Sequence, residues 1–222
     1  MNIQEYRDLQ ATNVDKKDKF SMIRMVEINP TELCNRKCIF CPRSDKKIYP
    51  NRDNHIEVET VKNLCNGLKS IGFNNRIGFV GFGEPLLCKN LIPCIKIVKD
   101  ILPKIKWLEI NTNGDRLTRE KIEELYKAGL THITISMYDS DRTEYFERLG
   151  IGIPIEFIFR HHYNPENDYN LNIVNRKEIL ENKSFEIHTK ESCFLPFYKL
   201  MIDWNGDVLL CNNDWSRKNI FG

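Results

Sequence analysis

The chain has 222 residues, 41% of them apolar, enough for one substantial core with a small attachment. Lys and Arg number 33 against 31 Asp and Glu, a net charge of +2 that excludes the basic footprint of a nucleic-acid-binding chain. The first 24 residues lack the apolar stretch of a signal peptide and no apolar run is long enough to span a membrane, so a cytoplasmic protein is expected, with eight cysteines in a reducing compartment.

The first strand-like run is Met25–Asn29, and it leads into a loop that carries Cys34, Cys38 and Cys41. A structural zinc site wants four ligands. Three thiolates at i, i+4 and i+7 of a wrapping loop can instead each take one iron of a cubane four-iron four-sulfur cluster, leaving the fourth iron open. Val58, Val61, Leu64, Cys65, Leu68 and Ile71 then recur at three- and four-residue spacings, which predicts a helix with Cys65 as a packing residue. Ile77–Phe82 is the second strand, followed by Gly83-Glu84-Pro85. Leu91, Ile95, Val98 and Leu102 mark the next helix, with Pro93 in its first turn and Cys88 and Cys94 read as packing.

Trp107–Asn111 is the third strand, followed by Thr112-Asn113-Gly114. Thr118 is placed to cap the next helix and Gly129 to end it. His132–Met137 is the fourth strand, closing on Ser136-Met137-Tyr138-Asp139, and Ile155–Phe159 is the fifth. His161 and His162 are adjacent on an extended segment and point apart, which argues against a shared metal. This alternation predicts an α/β fold with mostly parallel strands: a partial (β/α)6-like TIM barrel whose pattern decays near residue 165. Ligands of such folds sit at the carboxyl ends of the strands, where the cysteine loop, Gly83-Glu84-Pro85, Thr112-Asn113-Gly114 and Ser136 all fall. Near the end of the chain, two strand-like runs flank Asn205-Gly206, a hairpin signal that would bring Cys193 and Cys211 toward one end of a ribbon. A small C-terminal β-hairpin extension is therefore expected, dividing the chain into residues 1–190 and 191–222.

The loop Cys34, Cys38, Phe40 and Cys41 resembles the radical SAM superfamily motif CxxxCxΦC, in which Φ is aromatic. That resemblance implies a cluster held by Cys34, Cys38 and Cys41, with S-adenosylmethionine on the open iron. It also implies that Gly83 and Glu84 belong to the GGEP-type element that holds the amino group of that cofactor. Asn113 and Ser136 would face its ribose and methionyl parts, and Phe40 its adenine. Phe82 stands where the family often has glycine. The implied chemistry is one-electron cleavage of S-adenosylmethionine and hydrogen abstraction from substrate by the 5′-deoxyadenosyl radical, fed by a donor such as flavodoxin or ferredoxin.

The segment from Cys193 to Asp214 resembles the start of a SPASM or twitch extension, which implies an auxiliary four-iron four-sulfur cluster with Cys193 and Cys211 among its ligands. The cysteines that such extensions carry further downstream do not follow in this sequence. Only some 24 residues precede the first strand, which favours a small carbohydrate-like substrate over a leader-bearing peptide. Three alternatives stay open: a peptide maturase, a glycyl-radical activating enzyme and a noncatalytic metal-binding scaffold.

Overall fold

The alternation of apolar runs with helix-period segments builds a single mixed sheet in the computed structural model, which describes residues 22–47, 49–166 and 195–222. Five strands, β1 (Met25–Ile28), β2 (Arg76–Phe79), β3 (Trp107–Thr112), β4 (His132–Met137) and β5 (Glu156–His161), pair in parallel in sequence order. The connections carry helices α1 (Val58–Ser70), α2 (Leu91–Ile101), α3 (Arg119–Ala128) and α4 (Thr143–Gly150). Among the described residues the sheet does not close, and its order is β5-β4-β3-β2-β1-β6-β7.

Local signals place the helix ends as expected. Thr118 Oγ1 accepts a 3.2 Å hydrogen bond from the Lys121 N–H, satisfying one of the orphan donors of the first turn of α3. Gly129 ends that helix at φ +107°, a left-handed conformation that costs glycine least. Cys65, Cys88 and Cys94 lie buried in the main core, and burial pushes their thiols up to about 12, 11 and 12. They are neutral packing groups.

The hairpin joins the sheet rather than standing apart from it. β6 (Lys199–Ile202) runs parallel to β1, with Met25 opposite Lys199 and Ile28 opposite Ile202, and β7 (Val208–Leu209) returns antiparallel. The connection is Asp203–Asp207, wider than the two-residue turn that Asn205-Gly206 suggests, with Gly206 at φ +97° and its N–H on the Asp203 carbonyl. Strand β2 is also shorter than the apolar run. The Phe82 N–H leaves the ladder for the Asn29 Oδ1 at 2.9 Å, so the chain turns away at Val80.

The two faces of the sheet differ in chemistry. Val26, Ile28, Ile77, Phe79, Leu108, Ile110, Ile133 and Ile135 point into the core beneath the helices. The alternate positions, by the period-two geometry of a strand, put Glu27, Gly78, Glu109, Thr134 and Ser136 on the concave face. Lys199 Nζ donates to Glu27 Oε2 at 2.8 Å and Arg76 clasps Glu109 at 2.5 and 2.9 Å, so each buried carboxylate has its own cation. Gly78 makes room for this: a Cβ there would stand 3.0 Å from Glu109 Oε1.

Candidate active site

The carboxyl ends of the parallel strands open onto a cleft of about 280 Å³. Its rim is the cysteine loop, with Cys34, Cys38, Phe40 and Cys41 all lining it. Gly83, Glu84, Asn113 and Ser136 line the same cleft, so the site residues expected from sequence and described by the structure converge. Cys193 lies outside the described residues. Cys211 is half-buried, its Sγ accepting from the Asn213 N–H at 3.3 Å, beside Asn212 on the cleft wall.

The loop is held at both ends. Asn51 binds Cys34 twice, its Oδ1 accepting from the Cys34 N–H at 2.9 Å and its Nδ2 donating to the Cys34 carbonyl at 3.1 Å. The Cys41 N–H turns back onto the Cys38 carbonyl at 2.9 Å. Arg36 makes a fork to Asp115, with both bonds at 2.6 Å, and reaches Asp139 at 2.8 Å. A bidentate guanidinium–carboxylate pair fixes orientation as well as charge, and it holds Asp115 below the usual carboxylate range. The loop is thereby tied to the rims of β3 and β4.

Burial raises the thiol of Cys38 to about 12, with Cys41 and Cys34 adding to the effect, and the thiol of Cys34 is raised for the same first reason. A cluster of three thiols in which Cys34 and Cys38 resist ionisation suits a positive metal group that stabilises thiolate charge. Among the described residues no three His, Cys, Asp or Glu side chains converge on a single ion. A cluster that offers one iron to each thiolate does not need such convergence, and the donor set fits it.

Glu84 is 2% exposed and burial pushes its carboxyl up, but three donors oppose that shift. Thr112 Oγ1 donates to Oε1 at 2.6 Å, the Leu86 N–H to Oε1 at 3.1 Å and the Asn113 N–H to Oε2 at 2.9 Å. One lone pair of Oε2 is left for a ligand. Asn113 turns its amide to Asn35 Oδ1 at 2.9 Å, which makes it a brace for the cysteine loop. Ser136 Oγ donates to Asn111 Oδ1 at 3.2 Å, and Phe40 packs on Tyr138 with centroids 5.3 Å apart.

Gly83 has a steric reason that the motif does not convey. A Cβ would lie 2.2 Å from the Thr31 carbonyl oxygen and 2.7 Å from that of Leu33, whose backbone bonds the Glu84 N–H at 2.7 Å. Both obstacles are main chain and cannot swing aside. Gly83→Ala is expected to cost ~3 kcal/mol and to displace the run into Cys34, read as a lower melting temperature with substoichiometric iron after reconstitution. A melting temperature like that of the unmodified protein would contradict this close approach.

Phe82, which departs from the GGEP-type pattern that the resemblance implies, has a visible packing role. It packs on Trp215 at 4.6 Å and on Tyr49 at 6.1 Å, a second small core that joins the C-terminal segment to the cysteine loop. Arg217 completes the junction, pairing with Asp203, reaching Glu32 at 2.9 Å and lying over both Tyr49 and Phe82. Sequence reading missed this junction, the Arg36 clamp and the buried charges Glu27 and Glu109 on the cleft floor. A charge in the middle of a parallel strand was the available signal for the last two. It also missed His162, which stacks on Tyr138 at 5.0 Å and lines the cleft, while His161 turns toward Asp141.

A mostly parallel α/β sheet, unclosed among the described residues, with a three-thiol loop at its carboxyl rim defines a class of metallocluster enzyme scaffold. A family model, the Radical SAM superfamily, matches residues 28–190, and the chain belongs to that family. Its members use a four-iron four-sulfur cluster and S-adenosylmethionine, and the protein is a radical SAM enzyme. The chain is 27% identical over 204 residues to an S-adenosyl-L-methionine-dependent 2-deoxy-scyllo-inosamine dehydrogenase of Niallia circulans, covering 90% of this chain and 78% of that one. It is 30% identical over 138 residues to a GTP 3′,8-cyclase of Clostridium botulinum, covering 62% of this chain and 42% of the relative. The crystal structure of BtrN in complex with AdoMet and 2-DOIA superposes with a TM-score of 0.74 at 27% identity, over 90% of this chain and 77% of that one. Streptococcus suis SuiB bound to its precursor peptide shares the fold, at a TM-score of 0.51 and 14% identity over 95% of this chain and 64% of that one. Among the described residues no helix is long and apolar enough to cross a membrane.

Proposed function

We propose that Cys34, Cys38 and Cys41 hold the four-iron four-sulfur cluster and that S-adenosylmethionine binds between it and Gly83, Glu84 and Ser136. The protein then oxidises a hydroxylated, carbohydrate-like ring. When bound, these groups supply one-electron cleavage of S-adenosylmethionine and abstraction of a hydrogen atom from the ring; a proton and a second electron leave the ring afterwards, the electron to an iron–sulfur acceptor.

The remaining work falls to the chain itself. Glu84 Oε2 offers its spare lone pair to the cofactor's ammonium group, and Phe40 with Tyr138 gives an aromatic surface for its adenine. The observation that carries the choice of substrate is the polar lining of the cleft floor, where Glu27 and Glu109, each held by its own cation, lie mid-strand in β1 and β3 beside Asn111 and Ser136. A ring bearing hydroxyl or amino groups can hydrogen-bond to this polar lining, whereas an apolar substrate cannot. Similarity to the 2-deoxy-scyllo-inosamine dehydrogenase over 90% of the chain supports the same class. Electrons for the first step come from a donor such as flavodoxin or ferredoxin in the cytoplasm.

The test uses anaerobically reconstituted protein, S-adenosylmethionine, a reductant and 2-deoxy-scyllo-inosamine deuterated on its ring carbons. The expected result is deuterium in 5′-deoxyadenosine, together with a ring product that has lost two hydrogens. Release of unlabelled 5′-deoxyadenosine only, from every ring compound offered, would overturn the substrate class.

A further inference from the structure

Among the buried side-chain nitrogens of the described residues that lack a hydrogen-bond partner are Arg43 Nη2 and Trp215 Nε1, and both of these residues line the cleft. Buried donors are seldom left unpaired, because each forfeits its hydration without return. Arg43 is the more demanding of the two, since it also buries a charge. It is 5% exposed and its position is fixed on every other side. Nε donates to the Phe82 carbonyl, Nη1 donates to Asn51 Oδ1 at 2.9 Å, and the guanidinium lies 4.8 Å over the ring of Tyr49. Asn51 Oδ1 also accepts from the Cys34 N–H, so Arg43 and the first cysteine share one anchor. Arg43 follows Cys41 by two residues, in the 3-10 turn Pro42–Ser44.

A fixed cation with an unspent donor beside three thiols has an obvious use if a cluster is present. Thiolates and sulfides make the cluster electron-rich, and reduction adds one more negative charge. A hydrogen bond to a cluster sulfur and a nearby positive charge both favour the reduced form, and the low polarity around a buried group strengthens both. Among the described residues no carboxylate forms an ion pair with Arg43, so its charge acts on the cleft it lines.

Resting on the cluster assignment proposed above, we infer that Arg43 is a positioning residue for the cluster: its Nη2 donates to a cluster sulfur, and its charge raises the midpoint for the one-electron reduction by the external donor. The electron enters from that donor, no bond of Arg43 is made or broken, and its guanidinium stays protonated throughout.

The test is a potentiometric titration of the reconstituted full chain, followed by the electron paramagnetic resonance of the reduced cluster. At a fixed potential, Arg43→Met is expected to lower the ratio of reduced to oxidised cluster at least tenfold, a midpoint about 59 mV more negative for one electron. Arg43→Lys keeps the charge but loses the planar fork, and should lower the ratio at least threefold. Lys46→Met removes an exposed charge three residues away, which solvent already screens, and should stay within twofold. An unchanged midpoint in Arg43→Met, with full iron and sulfide, overturns the inference. If the Met variant takes up no iron, the Lys variant decides, and a ratio within twofold of the unmodified protein overturns it. Failure of the unmodified protein to take up iron and sulfide would instead remove the cluster assignment, and this inference with it.

Discussion

Replacing any one of Cys34, Cys38 or Cys41 with Ala is expected to abolish the cluster that turns over S-adenosylmethionine, with 5′-deoxyadenosine release falling to background. Cys65→Ala should leave iron, sulfide and release unchanged. The partition follows from position: the first three thiols line the cleft on a loop braced by Asn51 and Arg36, whereas Cys65 is fully buried on the core face of α1. Losing one thiolate leaves an iron with a water in its place, and a site assembled by folding and metal together loses much of its affinity. Losing the Cys65 sulfur costs packing of ~1 kcal/mol. Iron and acid-labile sulfide analysis separates the two outcomes, and equal loss from all four variants would contradict the partition.

The second large effect concerns stability rather than chemistry. Lys199→Met is expected to destabilise the protein by ~4 kcal/mol, because it leaves the Glu27 carboxylate buried in the sheet without its cation. For a chain of this size that corresponds to a fall in melting temperature of roughly 10 °C. The double variant Glu27→Gln, Lys199→Met should recover most of the loss, since the cost lies in the unpaired charge and not in the absence of the pair. Thermal unfolding checks this directly, and a single variant as stable as the unmodified protein would mean that Glu27 finds other compensation. Glu27 also lines the cleft, so the measurement is made without substrate.

The Glu27–Lys199 pair also marks the boundary between what the sequence discloses and what it does not. Strands β1 to β5 were legible because apolar runs and helix-period stretches alternate, and Thr118 and Gly129 announce the ends of α3 through chemistry confined to a few neighbouring residues. The hairpin around Gly206 was legible for the same reason, though not the width of its turn. Its docking beside β1 was not legible, because it depends on contacts between residues far apart in the chain, such as the Glu27–Lys199 bond across 172 positions. Local patterns carry no record of such pairings.

The site divides in the same way. Three thiols at fixed spacing mark a candidate metal loop by themselves, and Glu84 follows from its place after β2. The clamp of Arg36 on Asp115 and Asp139 is assembled from three loops, and no single segment shows it. Phe82 looked like a departure from its family pattern, and only the placement of Trp215 and Tyr49 around it explains the substitution. Asn113 was legible as a rim residue, but its side chain braces Asn35.

The most direct measurement is 5′-deoxyadenosine released from S-adenosylmethionine by the reconstituted, reduced protein under anaerobic conditions, compared with the Cys34→Ala variant. Multiple turnovers in the unmodified protein and none in the variant are the expected result. Protein that holds a full complement of iron and sulfide yet releases no 5′-deoxyadenosine, with or without a ring substrate, would contradict the account.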